Sequence, residues 1–353
     1  MVLMSSIGFA MMYSAAGGSF SPWASRQMIR FAIALVLLVG IAMTPPATLL
    51  RYSYLIYGIC LIILIAIEVA GFMGKGAKRW VEIGGVNLQP SELMKLAVIL
   101  ALARYFHVRS NLNINRLLTL IPALLLVLVP AAFILRQPNL GTATILVFVG
   151  VALFFMAGLK IRYFVIVIML GLVSAPIGWH FLHDYQKQRV MTFLHPEDEP
   201  LGAGYNIMQS MIAIGSGGFL GKGYLQGSQG QLDFLPEKHT DFIFTMIAEE
   251  FGFFGCAFIV ALYLMLIGYG LFIGIRCRHL FGSLLAFGVS ALLFAHIAIN
   301  MSMVMGLIPV VGVPLPLLSY GGSSMIAMIM GFGLMQNAYL NRDENLGRSR
   351  GLL

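Results

Sequence analysis

Hydrophobic residues run along this chain in long, nearly unbroken blocks, separated by short clusters of Arg, Lys, Pro, Gly and Asn. Such blocks lack the alternation of a half-buried strand, and they approach the ~20 residues an α-helix needs to cross a bilayer. Their edges predict ten helices, over about residues 1–16, 28–44, 52–72, 90–106, 116–135, 140–158, 161–182, 241–275, 281–308 and 322–341. The expected fold class is an all-α integral membrane protein of about ten transmembrane helices. Most connections are short. Residues 183–240 are the exception, too long and polar for a simple link, and are expected to form a large extracytoplasmic loop with a function of its own. The expected organisation is helices one to seven over 1–182, the loop over 183–240, helices eight to ten over 241–341 and a cytoplasmic tail over 342–353. The first block, Met1–Ala16, has no basic n-region and no small-residue cleavage site, so it reads as a helix rather than a cleavable signal. It is short for a span, which leaves room for a native start upstream.

Composition sharpens this picture. Of 353 residues 59% are hydrophobic and 10% charged, whereas soluble domains carry about 25% charged residues; a water-soluble fold is excluded. The net charge of +8 comes without any basic run long enough to hold nucleic acid, and points to orientation in a membrane. Near the short loops, eleven Lys and Arg fall on the side of the termini and six on the other, which places both termini in the cytoplasm and the 183–240 loop outside. Three of the six are Lys75, Lys78 and Arg79, a cluster suited either to anchoring headgroups or to holding phosphate. The cysteines, Cys60, Cys256 and Cys277, show no metal or redox spacing.

Within the loop, Tyr205–Ile214 predicts an interfacial helix with Ile207, Met208, Met211 and Ile212 on its apolar face and Asn206, Gln209 and Ser210 elsewhere. Seven glycines follow between Gly215 and Gly230, expected to act as hinges beside that helix. They are not a phosphate loop: Ser216 stands where a Walker motif needs Gly, and Gly223 replaces its Ser or Thr.

Chemistry-bearing residues collect at two places. Where the polar loop turns into the eighth helix, Glu237, Lys238, His239 and Asp241 stand together; composition favours a helix N-cap by Thr240 or Asp241, with an exposed reactive carboxylate as the alternative. Glu249 and Glu250 lie about 12 Å further along the same helix. The second place is Gln89-Pro-Ser-Glu-Leu-Met-Lys95, where Glu92 and Lys95 share a helix face at i, i+3, either as an ion pair joining helices or as a functional pair at a cavity.

Several motifs, in order along nearly the whole chain, resemble the SEDS (shape, elongation, division and sporulation) family. They are Lys75-Gly-Ala-Lys-Arg-Trp80, Gln89-Pro-Ser-Glu92, His183-Asp-Tyr-Gln-Lys-Gln-Arg-Val190, Pro200-Leu-Gly-Ala-Gly-Tyr205, Phe234 to Glu250, and Val313 to Ser323. The segment from Leu235 is closest to the RodA-like, elongation branch. The resemblance implies a peptidoglycan glycosyltransferase that polymerises lipid II on the outer face of the bacterial cytoplasmic membrane during cell elongation. It also implies a class B penicillin-binding protein and other elongation-complex membrane proteins as partners. It marks Asp241 as essential, against the cap reading, and links Glu92 and Lys95 to activity and control.

The expected reaction inverts the anomeric carbon in one displacement, so a single base suffices, because diphosphate leaves readily once its charge is neutralised. Candidates for that task are Lys78, Arg79, Arg189, Lys222 and Lys238, with Ser319 as a further substrate-binding candidate and a divalent cation (Mg or Mn) left open; no organic cofactor is expected. Asn139 departs from the family, where many relatives carry Asp, so a charged role there is doubtful. The competing reading is a lipid-linked precursor flippase or transporter, for which Glu68, Glu92, Lys95, Glu249 and Glu250 would line a pathway.

Overall fold

The computed structural model describes residues 1–70, 72–74, 77–83, 86–110, 114–181, 184–195, 203–232, 234–235 and 237–347. The chain opens with α1 (Val2–Ala15), α2 (Trp23–Met43) and α3 (Pro46–Ala70), then α4 (Pro90–Val108), α5 (Leu117–Arg136), α6 (Leu140–Met156) and α7 (Ile161–Phe181). The long loop contains α8 (Asp184–Leu194), α9 (Ala203–Gly217) and the single turn α10 (Ser228–Gln231), and the chain ends with α11 (Ile243–Arg276), α12 (Leu280–Val304) and α13 (Gly322–Leu340). Among the described residues five helices are long and apolar enough to cross a membrane: Trp23–Met43, Pro46–Ile67, Leu118–Arg136, Ile243–Arg276 and Leu280–Val304.

The framework is helical, as expected, with one small addition. Between α3 and α4 the chain forms a small antiparallel meander of β1 (Phe72–Gly74), β2 (Ala77–Ile83) and β3 (Val86–Leu88). Three- to seven-residue strands leave too little apolar alternation to register in a pattern dominated by helices. The starts of α2 and α3 are also earlier than expected, since polar Arg26, Gln27 and Arg51, which interrupt the apolar blocks, lie inside the helices. Pro46 at the head of α3 suits a first helical turn, where a missing N–H costs nothing.

α12 is the hub, packing on α4, α6, α11 and α13, while α2 lies along α13 and α3 along α4. Nearly every side chain of α4 is buried, as befits a helix apolar on all sides. The first turn of α6 is capped by Asn139, whose Oδ1 accepts from the Thr142 amide at 3.3 Å. A neutral side chain suffices for that contact.

Two irregular features position the candidate site. α11 has 34 residues, about 51 Å of helix against ~30 Å of hydrocarbon, and it is broken at Gly252, whose φ of 62° only glycine adopts readily. The break orphans the carbonyls of Glu249 and Glu250 and the amides of Phe253 and Phe254. Loop backbone satisfies all four: Lys222 N and Gly223 N donate to Glu249 O and Glu250 O (2.9 and 3.0 Å), and Phe253 N and Phe254 N donate to Gly218 O and Phe219 O (2.9 and 3.2 Å). A Cβ on Gly252 would stand 2.4 Å from Gly221 N, and one on Gly221 2.2 Å from Glu250 O. Four of the seven glycines expected to be hinges, Gly217, Gly221, Gly227 and Gly230, are here close-approach points against α11.

The second feature is the 305–321 connection between α12 and α13, which starts at the surface with Met305 and Leu307 exposed and then runs through the protein interior with Val313, Leu315, Leu317, Leu318 and Ser319 buried. Irregular backbone inside a membrane protein needs partners from the protein itself. Side chains from three helices supply them: Asn300 donates to Val313 O (2.7 Å), Tyr263 to Pro316 O, and Gln27 to Ser319 O (3.1 Å).

A helix, α9, covers the stretch expected to be helical, turned differently. Its buried face is Ile207, Ser210 and Ala213, while Met211 and Ile212 are exposed. Ser210 is buried because its hydroxyl has partners at 2.7 Å, Thr245 Oγ1 and Val304 O. Small residues on that side also let α9 approach α11 closely.

Candidate active site

Asp241 lies in the turn before α11. That helix starts after Phe242, whose own side chain makes no cap. Backbone contacts fix the turn from two sides: Asn300 Nδ2 donates to Asp241 O (2.8 Å), and Tyr320 N donates to His239 O (2.8 Å). The Asp241 carboxylate lies over Gly312, where a Cβ would be 3.4 Å from Oδ2 and where φ is 67°. The positive φ, rather than any crowding, is what calls for glycine there.

Beside Asp241 a chain of rings links three elements. The Trp23 indole of α2 stacks on His239 (centroids 4.1 Å, 12° apart), His239 faces Tyr320 at 5.9 Å, and the Arg30 guanidinium sits over the Tyr320 ring at 5.1 Å. Trp23, Arg30, His239, Tyr320 and Asp241 are all half-buried. Among the described residues Arg30 makes no ion pair, and the ring face is a favourable neighbour for its charge. Sequence reasoning missed Trp23 and Arg30, which lie more than 200 residues from Asp241 and carry no motif.

Glu92 and Lys95 form the expected pair, Nζ to Oε1 at 2.8 Å, buried on the first two turns of α4. The N-terminus of that helix is tied to α13 by Gln89 N, which donates to Ser323 Oγ at 2.9 Å. A third member of the cluster, His296 of α12, places Nε2 2.8 Å from Lys95 Nζ.

The remaining candidates are dispersed. Lys222 pairs with Glu249 at 2.7 Å. Glu249 is fully buried and also accepts from Ser228 Oγ (3.1 Å), Gln229 N (3.0 Å) and Gly230 N (3.4 Å), which pins the loop to α11. Lys238 is buried and donates to Gly230 O at 2.5 Å. Ser319 Oγ accepts from Leu315 N at 2.8 Å, a turn-forming contact rather than an open hydroxyl. Lys75 and the side chains of Lys78, Arg79 and Arg189 lie outside the described residues; Lys78 and Arg79 belong to β2 and Arg189 to α8. Among the described residues no three His, Cys, Asp or Glu groups converge as metal ligands.

With this geometry in place, comparison with known proteins is specific. Residues 1–344 match the family model of the FtsW, RodA and SpoVE cell cycle proteins. The chain is 44% identical over 318 residues to peptidoglycan glycosyltransferase MrdB of Escherichia coli K12, covering 90% of this chain and 85% of the relative. It is 36% identical over 346 residues to stage V sporulation protein E of Bacillus subtilis, covering 95% and 94%. In three dimensions it is similar to a chain from a peptidoglycan synthase complex that coordinates polymerization and crosslinking, with TM-score 0.85, 29% identity and coverage of 98% and 96%. The rod shape determining protein RodA of Thermus thermophilus superposes with TM-score 0.73 at 28% identity over 98% and 95%. Since the match runs from the first helix to the last and takes in every motif around Asp241 and Glu92, this chain belongs to the FtsW/RodA/SpoVE family of cell cycle proteins.

Proposed function

We propose that this protein is a peptidoglycan glycosyltransferase of the RodA type, which polymerises lipid II into glycan strands with a class B penicillin-binding protein as its crosslinking partner. The observation that carries the mechanism is the placement of Asp241, whose backbone carbonyl is held by Asn300 and whose half-buried carboxylate lies beside Gly312. Asp241 takes the proton of the acceptor 4-hydroxyl as that oxygen attacks the anomeric carbon of the donor. Undecaprenyl diphosphate leaves from the opposite face, so the configuration inverts. Arg30, with Lys78, Arg79 and Arg189, supplies positive charge for the diphosphate. A divalent cation (Mg or Mn) would share that task, held by diphosphate oxygens and at most one carboxylate. The half-buried faces of Trp23 and Tyr320 suit a sugar.

Ten helices, α1 to α7 and α11 to α13, cross the cytoplasmic membrane with both termini inside, and the 183–240 loop and Asp241 face outside. The Lys and Arg distribution and the names of the relatives support this reading.

The test is polymerisation of purified lipid II in detergent, where flipping has no meaning and a flippase would make no polymer. Asp241→Asn should fold and bind its partner yet lose at least about a hundredfold in rate, the scale of general base catalysis. Near-normal polymer from that variant would remove Asp241 from the role.

A further inference from the structure

His296 and Asn300 lie one turn apart on α12, and together they connect the Glu92–Lys95 pair to the backbone that carries Asp241. The ammonium of Lys95, paired to Glu92 at 2.8 Å, has only protons to give. His296 Nε2, 2.8 Å from it, therefore accepts, and the ring proton resides on Nδ1, which faces Pro314 O at 3.4 Å. Asn300 holds the preceding carbonyl, Val313 O at 2.7 Å, and the Asp241 carbonyl at 2.8 Å. The next residue back, Gly312, is the one that the Asp241 carboxylate lies over.

A continuous series of contacts thus runs from Glu92 through Lys95, His296, Pro314, Val313 and Asn300 to Asp241. His296 is only 1% exposed, and both its nitrogens face partners on different elements. An apolar side chain of similar volume would fill the same space without desolvating a ring, so packing does not explain it.

We infer that His296 is a positioning residue for glycosyl transfer: through the Pro314 carbonyl it sets the 312–314 turn, and hence the Asp241 carboxylate, according to the state of the Glu92–Lys95 pair. The inference rests on Asp241 being the base. Its sensitivity follows from the cost of misplacement, since an error of about 1 Å in a reacting group costs on the order of a hundredfold in rate.

The experiment uses the full chain with its transpeptidase partner in detergent. His296→Phe should lower kcat for lipid II polymerisation by about tenfold to a hundredfold, with KM within about twofold and little change in thermal midpoint. His296→Gln, whose amide offers an acceptor to Lys95 and a donor to Pro314, should recover most of the loss. Should the Phe variant fail to fold, His296→Asn, too short to reach Lys95, should show the same loss. Activity within about twofold of the parent for the Phe or Asn variant, or a Gln variant no better than either, overturns the inference.

A second readout does not depend on catalysis. With Cys60, Cys256 and Cys277 replaced by Ser and Asp241→Cys introduced, the alkylation rate of the new thiol should change on adding His296→Phe and return with His296→Gln. An unchanged rate overturns the inference. If alkylation responds while Asp241→Asn still polymerises normally, the base assignment fails and the positioning stands.

Discussion

Glu92 and Lys95 are 5% and 1% exposed, and each would be costly to bury alone. Their partnership makes a definite thermodynamic prediction. Removing one charge leaves the other stranded, at roughly 3–5 kcal/mol, whereas Glu92→Gln combined with Lys95→Met removes both. The double variant should be more stable in thermal unfolding than the worse single one. Additive losses in the cycle would show that the two residues are uncoupled. The pair was legible from its i, i+3 spacing, and His296 was not, because its distance to Lys95 is created by the packing of α12 on α4. Asp241 was legible only through the family resemblance. Composition alone favoured a cap, since Asp at the head of a helix is common for that reason and nothing local reveals that Asn300 and Gly312 shape its surroundings.

At the scale of elements, apolar block length located the long helices, and polar residues inside them blurred the starts of α2 and α3. The break in α11 was invisible because a single glycine in an apolar block changes no periodicity. Gly252→Ala should therefore cost far more than the usual ~1 kcal/mol preference between these residues, since a Cβ there meets Gly221 N at 2.4 Å with φ at 62°. A marked fall in the yield of folded protein and in thermal midpoint is expected, and a midpoint equal to the parent's would contradict the described joint.

The head of α12 offers a pH test. His279 caps that helix by accepting Gly282 N at Nδ1 (2.9 Å), and its Nε2 lies 3.2 Å from Asn341 O. Burial pushes its pKa below the ordinary 6.5, partly offset by the Asn341 carbonyl. As pH falls below about 6.5 the unfolded chain takes up the proton first, so stability drops toward the lowered folded value and is unaffected above that window. The thermal midpoint should decline more steeply between about pH 7 and 5 than in His279→Asn, which can cap without titrating. Parallel curves would exclude the cap as the source.

For the whole molecule, the irregular 305–321 connection is the feature least accessible from sequence. Its acceptors are backbone carbonyls and its donors are Gln27, Tyr263 and Asn300, spread over three helices. Each of those polar residues reads locally as an isolated interruption of an apolar block. Orientation is open to direct measurement. In a chain freed of its native cysteines, Ser216→Cys should react with a membrane-impermeant thiol reagent from outside intact cells. Arg278→Cys, between α11 and α12, should react only after permeabilisation. The reverse pattern would invert the proposed topology.

The four backbone bonds at Gly252 give the molecule a mechanical property. Residues 218–223 and the broken turn of α11 share one ladder, and they separate only if all four bonds yield together. The stretch richest in glycine is thus a rigid splice. A protein resting on the exposed Met211 and Ile212 of α9 would therefore bear on a joint that lies nine residues of α11, Ile243 to Phe251, from the turn that carries Asp241.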